Sequence, residues 1–337
     1  MTNTISPNEP PEPAPTTTDP RQMAARVAWV GAWVVVAVLV WVTFSRAFGI
    51  TIPARITVML QAVVPIAFVP VYPIGVVALV RKKWILAATC VVLAVVHVAA
   101  VYPALGHRSL PDWAGTAPRL TVFEANVYDQ NAEPDAAARK ILAAGADVLV
   151  LVEMDADTLR SLRQQGIEQA YPYSTLTSGR YRADAIWSKQ PLEDAHVATG
   201  RTFMPWATVV VGDRRLLILA VHVENAIRSR ADWNGELQEL KERAATATGP
   251  VAMVGDFNST RWNPPFGELL DGGLHDAHES VGQGLSRSWP NLGWLGVPLM
   301  RLDHALVNTK VGVVSVHDVD IPGSDHVGFV TELAVGS

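Results

Sequence analysis

Three short stretches late in the chain set chemically able residues directly after apolar runs: Val254-Gly255-Asp256-Phe257-Asn258, Arg301-Leu302-Asp303-His304 and Ser324-Asp325-His326. A β-sheet presents such residues at its edge instead of burying them, so carboxylates, an amide and imidazoles can converge on one centre. A carboxylate that activates water, beside an amide and an imidazole that hold anionic oxygens, is the outfit of a phosphoesterase. Three earlier residues extend the set. Asn126 ends Phe123-Glu124-Ala125-Asn126-Val127, Glu153 follows Val148–Val152, and His222 lies in Leu216–Val223.

Each residue also has a plain reading. Asn126 alone reads as a turn cap at a strand end, and His222 as a satisfied core histidine. Glu153 is either a solvated loop edge or a carboxylate that needs a partner or metal after a fully buried run. The spacing of two in Asp256 and Asn258 places both side chains on one side of an extended backbone, the alternative being a turn after the strand. Asp184 reads as a turn aspartate, with support of a catalytic histidine as the alternative, and His304 reads as structural.

The elements that position these residues alternate over the second part of the chain. Strands are expected at Leu120–Asn126, Val148–Val152, Ala185–Trp187, Trp206–Val211, Leu216–Val223, Val251–Val254, His304–Val307, Val313–Val316 and Gly328–Leu333, with helices at Pro134–Ala144 and Arg228–Ala247. Many strands with few helices predict two mainly antiparallel sheets packed face to face, helices outside. No internal repeat stands out.

The first part differs in kind. Residues 1–22 form a Pro- and Thr-rich tail expected to be disordered. Three apolar stretches follow at about 25–45, 56–80 and 84–105, each long enough to cross a bilayer. Arg81-Lys82-Lys83 separates the last two and assigns that turn and the N-terminus to the cytoplasm, which puts everything after the linker 106–118 outside a multi-pass cell-membrane anchor. The one cysteine, Cys90, falls in the third stretch. Residues 106–337 carry 20 Lys and Arg against 29 Asp and Glu, a net charge of −9, which argues against nucleic acid as a partner.

Taken in order, Asn126, Glu153, Ala185-Ile186-Trp187-Ser188-Lys189-Gln190-Pro191-Leu192, His222, Asp256/Asn258, Asp303 and Asp325/His326 resemble the motifs of the endonuclease/exonuclease/phosphatase superfamily over roughly 119–335. The resemblance implies an α/β fold, a two-sheet αββα sandwich at 119–337, and phosphate-ester hydrolysis with Mg2+ or Mn2+. It implies catalytic roles for His222, Asp256, Asn258, Asp303 and His326. Asp256 would orient or deprotonate water, Asn258 and His326 would contact phosphate, Asp303 would orient His326, and His222 would donate to the phosphate or leaving oxygen. Asn126 and Asn225 would bind substrate, and Glu153 and Asp325 the metal. Tyr128 stands where some nuclease members carry a carboxylate.

Three amino-terminal spans ahead of such a domain are similar to VanJ-type teicoplanin-resistance membrane proteins. That likeness implies a lipid pyrophosphate substrate, such as undecaprenyl pyrophosphate, with the bilayer as partner. The Trp-rich segment 289–300 is expected either to dip toward lipid at the site mouth or to be a buried connection. The alternatives are a membrane-tethered nuclease, a phospholipase-C-like phosphodiesterase and a non-catalytic scaffold.

Overall fold

The structure, a computed structural model, describes residues 19–177, 183–197, 204–291 and 297–337. The expected tail therefore lies almost wholly outside the described residues, as do Trp294 and Leu295 of the Trp-rich segment.

The catalytic part consists of two six-stranded sheets. One has the order β11-β12-β1-β2-β4-β3 and the other β5-β6-β7-β8-β10-β9. Their strands are β1 (Arg119–Asn126), β2 (Val148–Met154), β3 (Tyr173–Leu176), β4 (Ala183–Ser188), β5 (Leu192–Val197), β6 (Pro205–Val211), β7 (Arg214–His222), β8 (Val251–Asp256), β9 (His275–Asp276), β10 (Asp303–Val307), β11 (Val311–Asp320) and β12 (Val327–Val335). Alternate residues point inward, as in β6, where every second side chain is buried. Val122, Val150, Ile218, Ala220, Val254 and Phe329 meet in the layer between the sheets.

The sheets are mainly antiparallel, as expected, and each is made mixed by one parallel pair. At the centre of each, a parallel pair (β1 with β2, β7 with β8) replaces a hairpin. The two helices read from the sequence are the cause, because each serves as the crossover that parallel pairing requires.

The helices are α1 (Pro20–Ala47), α2 (Ala54–Ala62), α3 (Val64–Ala67), α4 (Val71–Val80), α5 (Trp84–Val101), α6 (Pro134–Ala143), α7 (Ala156–Gln164), α8 (Ile167–Ala170), α9 (Arg230–Thr246), α10 (Pro264–Asp271) and α11 (Ala277–Ser280). Crossover α6 links β1 to β2 and packs with Leu162 of α7 on the outer face of the first sheet. Crossover α9 links β7 to β8 and, with Phe266 and Leu269 of α10, covers the second.

Two helical segments, Pro20–Ala47 and Trp84–Leu105, are long and apolar enough to cross a membrane. The expected middle span is not one helix. Arg55–Ala62 and Val64–Val80 are bent by 81° against each other. Pro65 sits in the first turn of α3 and has no N–H to continue the ladder from α2, so the apolar run breaks there. The long helices run in the same direction and end together, with the start of α5 level with Trp29, well inside α1. Lys83 Nζ lies 5.7 Å over the Trp29 ring, while at the other end Arg46 Nε donates to the Trp262 carbonyl at 2.9 Å and Trp262 Nε1 donates to the Ala100 carbonyl at 3.3 Å. The basic turn and the catalytic part thus sit at opposite ends of the bundle, and the limb Val64–Val80 returns the chain between them.

Candidate active site

All the polar strand ends lie on one edge of the sandwich. Asn126, Glu153, His222 and Asp256 stand at or near the carboxyl ends of the parallel strands β1, β2, β7 and β8, the end at which such sheets take ligands. Asp303 opens β10 directly opposite Asp256, and His326 immediately precedes β12.

Local backbone geometry aims the side chains. Glu153 lies at an irregularity in the β2–β4 pairing and has φ 57°. Asn258 has φ 45°, also in the left-handed region. Non-glycine residues held there are strained, and such strain gathers at functional sites. Asp256 and Asn258 therefore converge through a turn, contrary to the extended backbone expected for them: the Asn258 amide N–H donates to Asp256 Oδ1 at 2.7 Å. Gly255 allows that turn its place, since a Cβ there would meet the Val221 carbonyl oxygen at 2.0 Å.

The geometry forms two carboxylate–imidazole pairs. His326 Nδ1 is 2.8 Å from Asp303 Oδ2, and its Nε2 faces Asp256 Oδ2 and Asp325 Oδ1, both at 3.9 Å. Opposite, His222 lies between Asp184 Oδ1, 3.2 Å from Nδ1, and Glu153 Oε1, 3.0 Å from Nε2. The Glu153 amide also donates to Asp184 Oδ1 at 3.0 Å. Asp184, read as a turn residue, thus orients both a histidine and a loop carboxylate. It lies within β4, whose pairing with β2 brings it to Glu153 and His222 and decides for the alternative reading, support of a histidine.

A cavity of about 250 Å³ is lined by Glu153, His222, Asn225, Asp256, Asn258, Asp325 and His326. Asn126 and Asp303 stand behind this lining, both almost fully buried. Asn126 Nδ2 donates to Asp256 Oδ2 at 3.1 Å, so it holds Asp256 and does not face the cavity. Asn225 Nδ2 donates to Asn258 Oδ1 at 3.2 Å, and Asn258 Nδ2 donates to the Val223 carbonyl at 2.8 Å and Asp256 Oδ2 at 3.4 Å. Trp289 Nε1 donates to Asp325 Oδ2 at 3.1 Å, a support the sequence did not reveal. Ser324 Oγ ties the last loop to β1 by donating to the Asn126 carbonyl at 2.7 Å. His304 is structural as read, with Nδ1 2.6 Å from Asp276 Oδ2 and its ring tilted against Phe266.

Charge in the site is closely coupled. Burial opposes the charged form of His326, but Asp303, then Asp256 and Asp325, hold the imidazole up at about 10. Burial likewise opposes the His222 cation, and Asp184 with Glu153 outweighs it, raising it well above the usual range. Burial pushes the Asp256 carboxyl up, His326 draws it back and Asp303 adds to the rise, with a balance of about 6.

The donors suit a divalent cation. Ligand atoms of Asp256, Asp303 and His326 lie within 4.8 Å of one another. A cation among those three would have to disrupt the Asp303–His326 hydrogen bond. The cavity-lining carboxylates Glu153, Asp256 and Asp325 supply hard oxygens of the kind Mg2+ and Mn2+ take. Burial first, and then the neighbouring Asp303, disfavours the charged Asp256 carboxylate, a cost that a cation there would offset.

The pattern of the endonuclease/exonuclease/phosphatase family matches residues 124–326, which span every one of these polar strand ends. The chain belongs to that family. Its members are phosphoesterase and nuclease hydrolases that generally use divalent metals, and the fold here is that hydrolase fold. No curated protein matches the chain. Solved structures similar to this family member include D. rerio TDP2 complexed with single-strand DNA product, at TM-score 0.55 and 16% identity over 64% of this chain and 99% of that one. Truncated Caenorhabditis elegans TDP2 has TM-score 0.51 and 17% identity over 64% and 98%. A family protein from Bacteroides thetaiotaomicron has TM-score 0.50 and 15% identity over 66% and 100%. At such identities the likeness concerns the fold alone.

Proposed function

We propose that the protein is a membrane-anchored, metal-dependent phosphohydrolase that removes phosphate from a lipid pyrophosphate such as undecaprenyl pyrophosphate. The observation that carries this reading is that the phosphate-chemistry residues lie in a domain docked, through Trp262, onto helices apolar enough to cross a membrane. The net charge of −9 on residues 106–337 adds to it, because phosphate-gripping nucleic-acid binders carry basic surfaces.

In this reading Glu153, with Asp325, would hold Mg2+ or Mn2+, which would supply Lewis-acid polarisation of the phosphoryl oxygens. Asp256, oriented by the amide of Asn126, takes the proton of an in-line attacking water. Asn258 gives up its longer 3.4 Å contact to bind a non-bridging oxygen. The charged His326, held by Asp303, donates to a second oxygen, and His222, set by Asp184, gives up its 3.0 Å contact with Glu153 to donate to the leaving oxygen.

Purified full-length protein in detergent is expected to release phosphate from prenyl pyrophosphate with Mg2+ or Mn2+ and not with chelator. Cleavage of DNA or of phospholipid head groups with the pyrophosphate untouched would replace this reading by the nuclease or phospholipase-C-like one. The N-terminus and Arg81-Lys82-Lys83 face the cytoplasm and the catalytic domain the outside, so a reporter active only in the cytoplasm should be silent after Ser337. A role in teicoplanin resistance follows from the VanJ resemblance, and expression in a sensitive host should raise the inhibitory concentration of teicoplanin.

A further inference from the structure

The cavity that holds the polar residues has a second, apolar wall. Val58, Met59 and Ala62 of α2 line it, together with Met300, Leu302 and Trp289 of the catalytic part. Positions 58, 59 and 62 share one face of a helix, and Ala62 packs directly among Met300, Leu302, Met59 and Trp289. Ile227 lies on the cavity rim, 39% exposed. The family match begins at residue 124, so this wall comes from a segment outside it, in the apolar first part of the chain.

The wall is fixed from both sides. Asn263 Nδ2 donates to the Val58 carbonyl at 3.1 Å, and Arg230 reaches Thr51 Oγ1 at 3.3 Å from the catalytic part. From the bundle, Trp41 Nε1 donates to Thr57 Oγ1 at 3.3 Å, and Gln61 Nε2 donates to Ser45 Oγ at 3.1 Å and to the Ile50 carbonyl at 3.0 Å. The 81° bend after α2 turns this limb away from the limb that runs down the bundle. Ile52 and Ile56, beside the wall, remain 56% and 63% exposed.

The geometry points to α2 as the chain-binding subsite: its Val58–Met59–Ala62 face, with Met300, Leu302 and Ile227, holds the first carbons of a prenyl or alkyl chain while the phosphates lie among Glu153, Asp256, Asn258 and His326. This rests on the lipid-phosphate reading. Three observations select that occupant. Apolar wall and phosphate-type residues line one continuous cavity. The wall belongs to the segment joining the two candidate spans. The cavity, about 250 Å³, falls below the ~300–1,000 Å³ that encloses a whole drug-sized ligand, so it takes a head group and the start of a chain whose remainder stays in the bilayer. The membrane segment then selects substrate as well as tethering the enzyme.

The test compares farnesyl pyrophosphate with inorganic pyrophosphate, which share the diphosphate and differ in whether a chain is attached, using full-length wild type, Met59→Gln and Ile227→Ser in detergent. Each variant should lower kcat/KM for farnesyl pyrophosphate about five- to tenfold, mainly through KM, as expected from lost apolar burial, and change that for inorganic pyrophosphate less than twofold. Ile227 is a rim residue, so its replacement keeps the test valid should Met59→Gln loosen α2. Equal losses on both substrates, or no loss on either, would overturn the subsite and leave the lipid-phosphate reading standing. A wild type that releases phosphate from neither compound would remove that reading and the subsite with it. As a readout free of turnover, a prenyl pyrophosphate analogue carrying a diazirine on its first isoprene unit should, in chelator, photolabel residues 58–62; label confined to other segments would also overturn the proposal.

Discussion

At the scale of single residues, the site is built from pairs in which a buried carboxylate fixes a histidine. His326 with Asp303, and Asp256 with Asn126, are the contacts on which turnover should depend most. His326→Ala and Asp256→Ala are each expected to lower phosphate release by about 10²–10⁴-fold while thermal unfolding remains cooperative; full activity in either purified variant would contradict the assignment. Asp184→Asn tests a positioning role. Loss of its charge should bring the His222 proton down toward the ordinary range, moving the alkaline limb of the rate profile to lower pH, with a rate loss of about 10–100-fold as for other orienting partners. A limb that stays in place would assign Asp184 a merely structural part. Stability carries its own pH signature. Folded His326 keeps its proton up to about 10, whereas an unfolded histidine loses it near ~6.5. The contribution is complete below ~6.5 and is lost as pH rises through 10, because over that window the folded state binds more protons than the unfolded one. The Tm of metal-free protein should fall across the window, and fall less in His326→Gln.

At the scale of elements, β1 shows how a strand serves both core and site. Its inner face runs Leu120, Val122, Glu124, Asn126, so the residue one row behind the site is a carboxyl. Glu124 is fully buried, and among the described residues neither of its oxygens has a hydrogen-bond partner. Burial, then Asp303 and Asp256, raises its pKa well above the usual carboxylate range. Replacing it with Met removes an unsatisfied polar group and should stabilise the domain by about 1–3 kcal/mol, read as a Tm rise of roughly 2–4 °C per kcal/mol for a domain of this size. A lower Tm would mean that the carboxyl has a supporting contact. The element missed in the sequence was the break at Pro65: composition made residues 56–80 one apolar run, but backbone hydrogen bonding divided it.

At the scale of the whole molecule, a basic turn and an acidic catalytic part occupy opposite ends of an apolar bundle. The negative charge predicts that full-length protein shows no retardation of duplex DNA in a gel at ~0.15 M salt, since binding there relies on counterion release by basic side chains. A salt-sensitive shift at micromolar protein would contradict this and favour the nuclease reading.

The sequence by itself determined the strand ends, their order and the two long apolar helices, because hydrophobic period and the polar residue that interrupts it are local signals. Asn126, Glu153, His222, Asp256, Asp303 and His326 were legible as polar residues on apolar strands for that reason, and their roles only through the ordered resemblance to the family's motifs. Only the tertiary structure decided which of them touch. Asp184 meets His222 across 38 positions and Trp289 meets Asp325 across 36, distances that strand pairing and loop closure set and that no spacing rule reveals. It also decided that Asp256 and Asn258 meet through a left-handed turn, and that α2 closes the cavity. A short apolar helix reads alike whether it enters lipid or walls a site, and the choice is made by what packs against it.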